Sequence, residues 1–136
     1  MLLSDADTTL ILETVRDAAR REIMPRFRAL SEADINTKSA PDDLVTAADL
    51  AAEALITAQL GRAFPDALIL GEEAVAADPN LRDQLADAEM AIIIDPVNST
   101  WNYARGLALF GVILAVTRYG IPVYGLLYDP VIDDWI

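Results

Sequence analysis

The apolar run Met90-Ala91-Ile92-Ile93-Ile94 stops at Asp95-Pro96-Val97-Asn98-Ser99-Thr100, and this junction constrains the chain more than any other. Three consecutive isoleucines are β-branched and apolar, so the run predicts a buried strand. That strand delivers a carboxylate, a rigid turn and a hydroxyl to one point. Asp95 offers hard oxygen to a divalent cation, Pro96 stiffens the turn, the Val97 carbonyl can face the ion, and Asn98 offers an amide oxygen. Ser99 and Thr100 are expected to open a short helix, whose unpaired backbone N–H groups can hold a phosphate. A plainer alternative satisfies the same six residues: an Asp-Pro turn leading into a Ser or Thr helix cap.

Two other segments bear on that choice. Upstream, the apolar run Ala67 to Leu70 ends in Gly71-Glu72-Glu73, which puts acidic residues at a second strand end. Adjacent strands ending in carboxylates are a common way to build a magnesium site. Earlier still, Asp43-Leu44-Val45-Thr46-Ala47-Ala48-Asp49 precedes a helical stretch, with Lys38 before it. Thr46-x-x-Asp49 is close to a capping box, and that role and catalysis are compatible.

The hydrophobic period places these motifs in an α+β chain. Ser4 caps a first helix running to about Leu30, with Leu10, Ile11, Val15 and Ile23 on one face and Pro25 kinking or dividing it. Ser31 to Pro41 reads either as a mobile lid or as an ordinary surface connection. Thr46 starts a second helix to about Arg62, with Leu50, Ala51, Leu55, Ile56 and Leu60 as its apolar stripe. Ala67–Gly71 and Met90–Asp95 follow as strands, separated by an exposed connection containing a short helix over Asp78–Ala88. Gly111–Tyr119 and Val123–Tyr128 form a hairpin around Gly120-Ile121-Pro122. The aromatics Trp101, Tyr103, Phe110 and Tyr119 are assigned to core or cap packing.

In order and spacing, Lys38, Asp43-Leu44-Val45-Thr46-x-x-Asp49, Gly71-Glu72-Glu73, Asp95-Pro96-Val97-Asn98-Ser99-Thr100, Trp101-Asn102-Tyr103, Gly106 and Asp129-Pro130 resemble the inositol monophosphatase family. The resemblance runs from about Lys38 to Ile136. It implies layered helices on a mainly antiparallel sheet, like the N-terminal domain of the sugar phosphatase fold, and Mg2+-dependent hydrolysis of a small phosphate monoester. Carried over by position, Glu72 and Asp95 hold the first magnesium together with the Val97 carbonyl, and Asn98 stands where the family has an aspartate for a second ion. Thr100 and Asp49 correspond to the pair that orients and activates water. Backbone N–H groups at Ser99 and Thr100 correspond to the phosphate cradle. Lys38 lies where the family has a basic residue on a loop near the active site, and Glu73 falls outside the metal's immediate ligands.

Two departures from the family stand out. The usual turn reads Asp-Pro-x-Asp-Gly-Thr, whereas Asn98 and Ser99 occupy its fourth and fifth positions here. An amide keeps an oxygen donor but removes a full charge, which weakens a site for a hard cation. Ser in place of Gly restricts the backbone where phosphate approaches. Family enzymes also run to about twice this length. The resemblance therefore places residues 1–136 in a single N-terminal-type domain without the family's C-terminal one, and implies a homodimer or completion by the missing half.

The 22 acidic against 10 basic residues give a net charge of −12, which opposes nonspecific binding to nucleic acid or anionic membrane. There is no cysteine, no run long enough to span a bilayer, and no basic segment and apolar core at the start, so a cytoplasmic protein is expected. Three functional readings follow: a magnesium-dependent phosphomonoesterase, a degenerate noncatalytic binding or regulatory member of the family, and an assembly module whose exposed edge completes a sheet.

Overall fold

The computed structural model describes residues 3–136. Ser4 opens the first helix, α1 (Asp5–Ala18), in a reciprocal cap: the Asp7 N–H donates to the Ser4 hydroxyl at 3.1 Å and the Ser4 N–H donates to the Asp7 carboxylate at 2.9 Å. The expected continuation to about Leu30 does not form. Pro25 has no N–H to extend the ladder, so the helix widens into a π-turn over Ala19–Ile23, tightens over Met24–Arg26, and becomes extended at Phe27.

Ser31 to Pro41 is more ordered than an irregular connection. After a short turn at Glu32–Asp34, β1 (Ile35–Thr37) pairs antiparallel with β2 (Leu44–Thr46), bringing Ile35 opposite Thr46. Both short strands are rich in β-branched residues, which favour this pairing. Next come α2 (Ala47–Ala63), β3 (Leu68–Gly71), α3 (Glu72–Ala77), a 3₁₀ turn at Pro79–Gln84, β4 (Ala91–Asn98) and α4 (Thr100–Ala104). The chain closes with β5 (Gly111–Arg118), β6 (Ile121–Asp129) and β7 (Asp134–Trp135).

Strands β3 to β7 form one sheet in sequence order, parallel between β3 and β4 and antiparallel thereafter, as expected for a mainly antiparallel α+β fold. The β5–β6 hairpin is tighter than expected. Arg118 pairs with Ile121, leaving Tyr119 and Gly120 as a two-residue turn with φ of 49° and 77°. Positive φ at both central residues matches the twist of the flanking strands, and Ile121 and Pro122 consequently lie in the strand.

One face of the sheet carries the core. Ile92 and Ile94 of β4 and Val112, Leu114 and Val116 of β5 pack under Ile11 and Val15 of α1 and Ala48, Ala52, Ile56 and Leu60 of α2, all buried. Tyr103 and Phe110 join this core beside Phe27, Tyr103 stacked on it at a ring separation of 5.6 Å and Phe110 tilted against it at 5.0 Å. The other two aromatics do not: Tyr119 is 60% exposed at the hairpin turn, and Trp101 lies under the Arg105 guanidinium at 4.2 Å. No helix among the described residues is long and apolar enough to cross a membrane.

Candidate active site

Strand register brings the acidic motifs together. Gly71 pairs with Ile94 across the parallel β3–β4 ladder, so the next residue of each strand, Glu72 and Asp95, leaves the sheet at the same level. Facing the Asp95 carboxyl, and partly buried with it, Glu72 has its pKa pushed up to about 7 despite Lys38 nearby. Asp95 Oδ1 is buried and has no hydrogen-bond partner among the described residues, while Asp95 Oδ2 accepts from the Asn98 amide at 2.9 Å. Two carboxylates held face to face, one with an orphaned buried oxygen, are a donor set suited to a divalent cation. Among the described residues no three acidic side chains converge on one point, so a cation here would also need the Val97 carbonyl and water.

The turn after Asp95 is shaped by a bulge. Register slips by one residue between Asp95, opposite Ile113, and Asn98, opposite Gly111, and this aims Val97 into the core. Ser99 then adopts φ 69° and ψ 51°, a left-handed conformation that glycine takes without cost, and α4 starts at Thr100. Ser99 therefore holds this turn at the expense of backbone strain.

A second cluster lies at the start of α2. Asp49 is fully buried; its Oδ2 accepts from the Thr46 N–H at 2.8 Å and the Thr46 hydroxyl at 2.7 Å, completing the helix cap. Its Oδ1 accepts from the Thr100 hydroxyl at 2.9 Å, and that hydroxyl also lies 2.8 Å from the Val97 carbonyl. Burial raises the Asp49 pKa, opposed by the hydrogen bonds from Thr46 and Thr100. Asp49 is thus a capping residue and the partner of Thr100 at once.

Lys38 follows β1 and reaches the acids, with its ammonium 2.9 Å from Glu73 and 3.4 Å from Glu72. Burial works against its charge, yet the Glu73 hydrogen bond and both carboxylates hold its pKa above the ordinary lysine value. The acid on this side that sequence reasoning passed over is Glu53 of α2. It is 9% exposed, and its carboxylate accepts from the Glu73 N–H at 2.8 Å and the Ala74 N–H at 3.0 Å. Its signal was present in the spacing: Asp49 and Glu53 lie four residues apart and share a helix face with Ala52 and Ile56.

A parallel strand pair ending in carboxylates, joined through the bulged turn to an Asp–Thr pair, belongs to the sugar phosphatase class of α+β fold. The suhB extragenic suppressor protein of Bartonella henselae superposes with a TM-score of 0.81 at 25% identity, over 96% of this chain and 48% of that one. The Thermotoga maritima IMPase shares the fold with a TM-score of 0.79 at 23% identity, over 94% of this chain and 46% of that one. Residues 5–136 match the inositol monophosphatase family, and the chain belongs to it. Inositol-1-monophosphatase of Mesorhizobium japonicum is 33% identical over 116 residues, 85% of this chain and 41% of that protein. Inositol monophosphatase 1 of Solanum lycopersicum is 40% identical over 92 residues, 68% of this chain and 33% of that protein. The chain spans less than half the length of these curated relatives.

Proposed function

We propose that this chain forms part of a magnesium-dependent phosphomonoesterase that hydrolyses a small phosphate ester by activated water. The observation that carries this reading is the Glu72–Asp95 pair, with its orphaned Asp95 oxygen, joined through Val97 to the Asp49–Thr100 pair. Glu72, Asp95 and the Val97 carbonyl would hold the first magnesium, and Asn98 would offer its amide oxygen to a second ion. Bound there, magnesium neutralises phosphate charge and lowers the pKa of a coordinated water. Thr100 would accept a hydrogen bond from the attacking water and aim it at phosphorus in line with the leaving alkoxide, with the buried Asp49 orienting the Thr100 hydroxyl and completing the pair. For Thr100 this requires its hydroxyl to keep donating to the Asp49 carboxylate or the Val97 carbonyl, which is where it points, so that its lone pairs face the water. Ser99 and Thr100 N–H groups meet the phosphate oxygens. Lys38, paired with Glu72 and Glu73, would place its ammonium beside the phosphate.

The substrate class is as wide as the relatives suggest. Similar proteins are named as inositol-1-monophosphatase and, at 33% identity over 129 residues, as histidinol-phosphatase of Streptomyces coelicolor. Completion by a second half or a second copy is part of the proposal, because the sheet face opposite the helices is incompletely covered: Leu127 is 52% exposed, and a groove of about 360 Å³ opens among Leu70, Val75, Leu85, Ile93 and Ile113. A noncatalytic role is the second reading, favoured by Asn98 and by the strained Ser99.

Phosphate release from a panel of monoesters separates the two. The hydrolase reading expects magnesium-dependent turnover, lowered by about two orders of magnitude or more in Asp95→Ala. Zero turnover across the panel with magnesium still bound would establish the noncatalytic reading instead.

A further inference from the structure

We infer that Glu53 is a positioning residue for magnesium, fixing the backbone that carries Glu72; this rests on the hydrolase reading above. The Glu72 side chain is itself 43% exposed, so packing alone does little to hold it. Its backbone is anchored instead. One buried carboxylate spans two successive amides of α3, Glu73 N–H at 2.8 Å on Oε1 and Ala74 N–H at 3.0 Å on Oε2. Hydrogen bonds to an ionised acceptor are the stronger kind, and these two leave the first turn of α3 little freedom to rotate.

Room for that carboxylate exists only because Gly71 ends β3. A Cβ at position 71 would overlap the Glu53 carboxylate, so the glycine serves close approach here rather than an unusual φ. Among the described residues no lysine or arginine pairs with Glu53. Its charge is therefore satisfied by backbone amides, and its burial serves no ion pair.

The geometry acquires its meaning from α2. Asp49 and Glu53 stand one helical turn apart on the same face, the first bonded to Thr100 and the second to the segment beginning at Glu72. A single rigid helix thereby sets the separation between the water-orienting pair and the carboxylate pair. Hydrogen bonds that orient metal ligands commonly govern metal affinity by 10–100-fold, and Glu53 acts one step further out, on the backbone that carries Glu72.

Calorimetric titration of the full chain with magnesium tests the assignment, comparing wild type with Glu53→Gln, Glu53→Asp and, as a destabilised control on the helix that Glu53 anchors, Val75→Ala. In Glu53→Gln the carboxamide turns an NH2 group toward one of the two amides. In Glu53→Asp the charge is kept but withdrawn by one methylene. Both are expected to weaken magnesium binding about tenfold or more, with turnover recovering at saturating magnesium. Val75→Ala is expected to lower the melting temperature without moving the affinity. If Glu53→Gln fails to fold, Glu53→Asp decides. A folded Glu53 variant with wild-type affinity would overturn the assignment alone, whereas a wild type that takes up no magnesium would overturn the hydrolase reading and this assignment with it.

Discussion

At position 98 an amide faces Asp95, and the difference from a carboxylate is one whole charge beside the Glu72–Asp95 pair. The Asn98 amide N–H donates to Asp95 Oδ2 at 2.9 Å and so offsets part of that carboxylate's charge. Asn98→Asp exchanges that hydrogen bond for like-charge repulsion. With chelator present, the variant is expected to lose about 1–2 kcal/mol of stability and then to show a larger melting-temperature rise on adding magnesium than wild type. Unchanged responses in both conditions would remove Asn98 from the ligand set. Asn98 and Ser99 were legible in the sequence because a motif fixes their positions. Glu53 is marked only by its four-residue spacing from Asp49, because α2 carries alanines on every side and gives no clear apolar stripe by which to assign its buried face; the expected stripe includes Leu50, which is 52% exposed.

At the scale of elements, the sequence located most strands and both main helices, and failed where backbone detail decides. Pro25 marked a break, but the π-turn before it depends on the Met24 N–H reaching the Ala19 carbonyl, which no side-chain pattern encodes. The β1–β2 pairing depends on residues far enough apart that neither short strand announces the other. Gly71-Glu72-Glu73 was read as a strand end, and it is also the start of α3. The end of the first helical segment is fastened across the core: the buried Tyr103 hydroxyl of α4 donates to the Ile23 carbonyl at 2.7 Å. Tyr103→Phe leaves that carbonyl without this donor, and equilibrium denaturation is expected to show a loss of about 1–2 kcal/mol. A change within experimental error would mean that the carbonyl finds another partner at no cost.

At the scale of the whole molecule, two sets of carboxylates titrate in opposite senses. Asp133 is held down to about 2, first by the Arg16 hydrogen bond and then by Tyr128, and Asp7, Asp17, Asp34 and Asp43 are also lowered by hydrogen bonds. An acid lowered in the folded state contributes stability above its unfolded pKa of 3.8 and loses it as pH falls further. Glu72, raised from 4.5 to about 7, acts the other way. Between those values the folded chain binds more protons than the unfolded chain, so stability falls as pH rises and levels off once Glu72 is ionised. Burial raises Asp49 and Glu73 in the same direction. Magnesium, which binds the ionised carboxylates in competition with protons, is expected to remove this fall.

The unfolding free energy of the full chain between about pH 4 and about pH 8, in chelator and in excess magnesium, therefore tests the Glu72–Asp95 pairing most directly. In chelator, stability should decline from about pH 4.5 to about pH 7, with Asp95→Ala removing much of that decline; magnesium should restore stability most at the alkaline end. A curve that is flat across this window in chelator, and that magnesium leaves unmoved, would contradict a pair of strand ends built to share a cation.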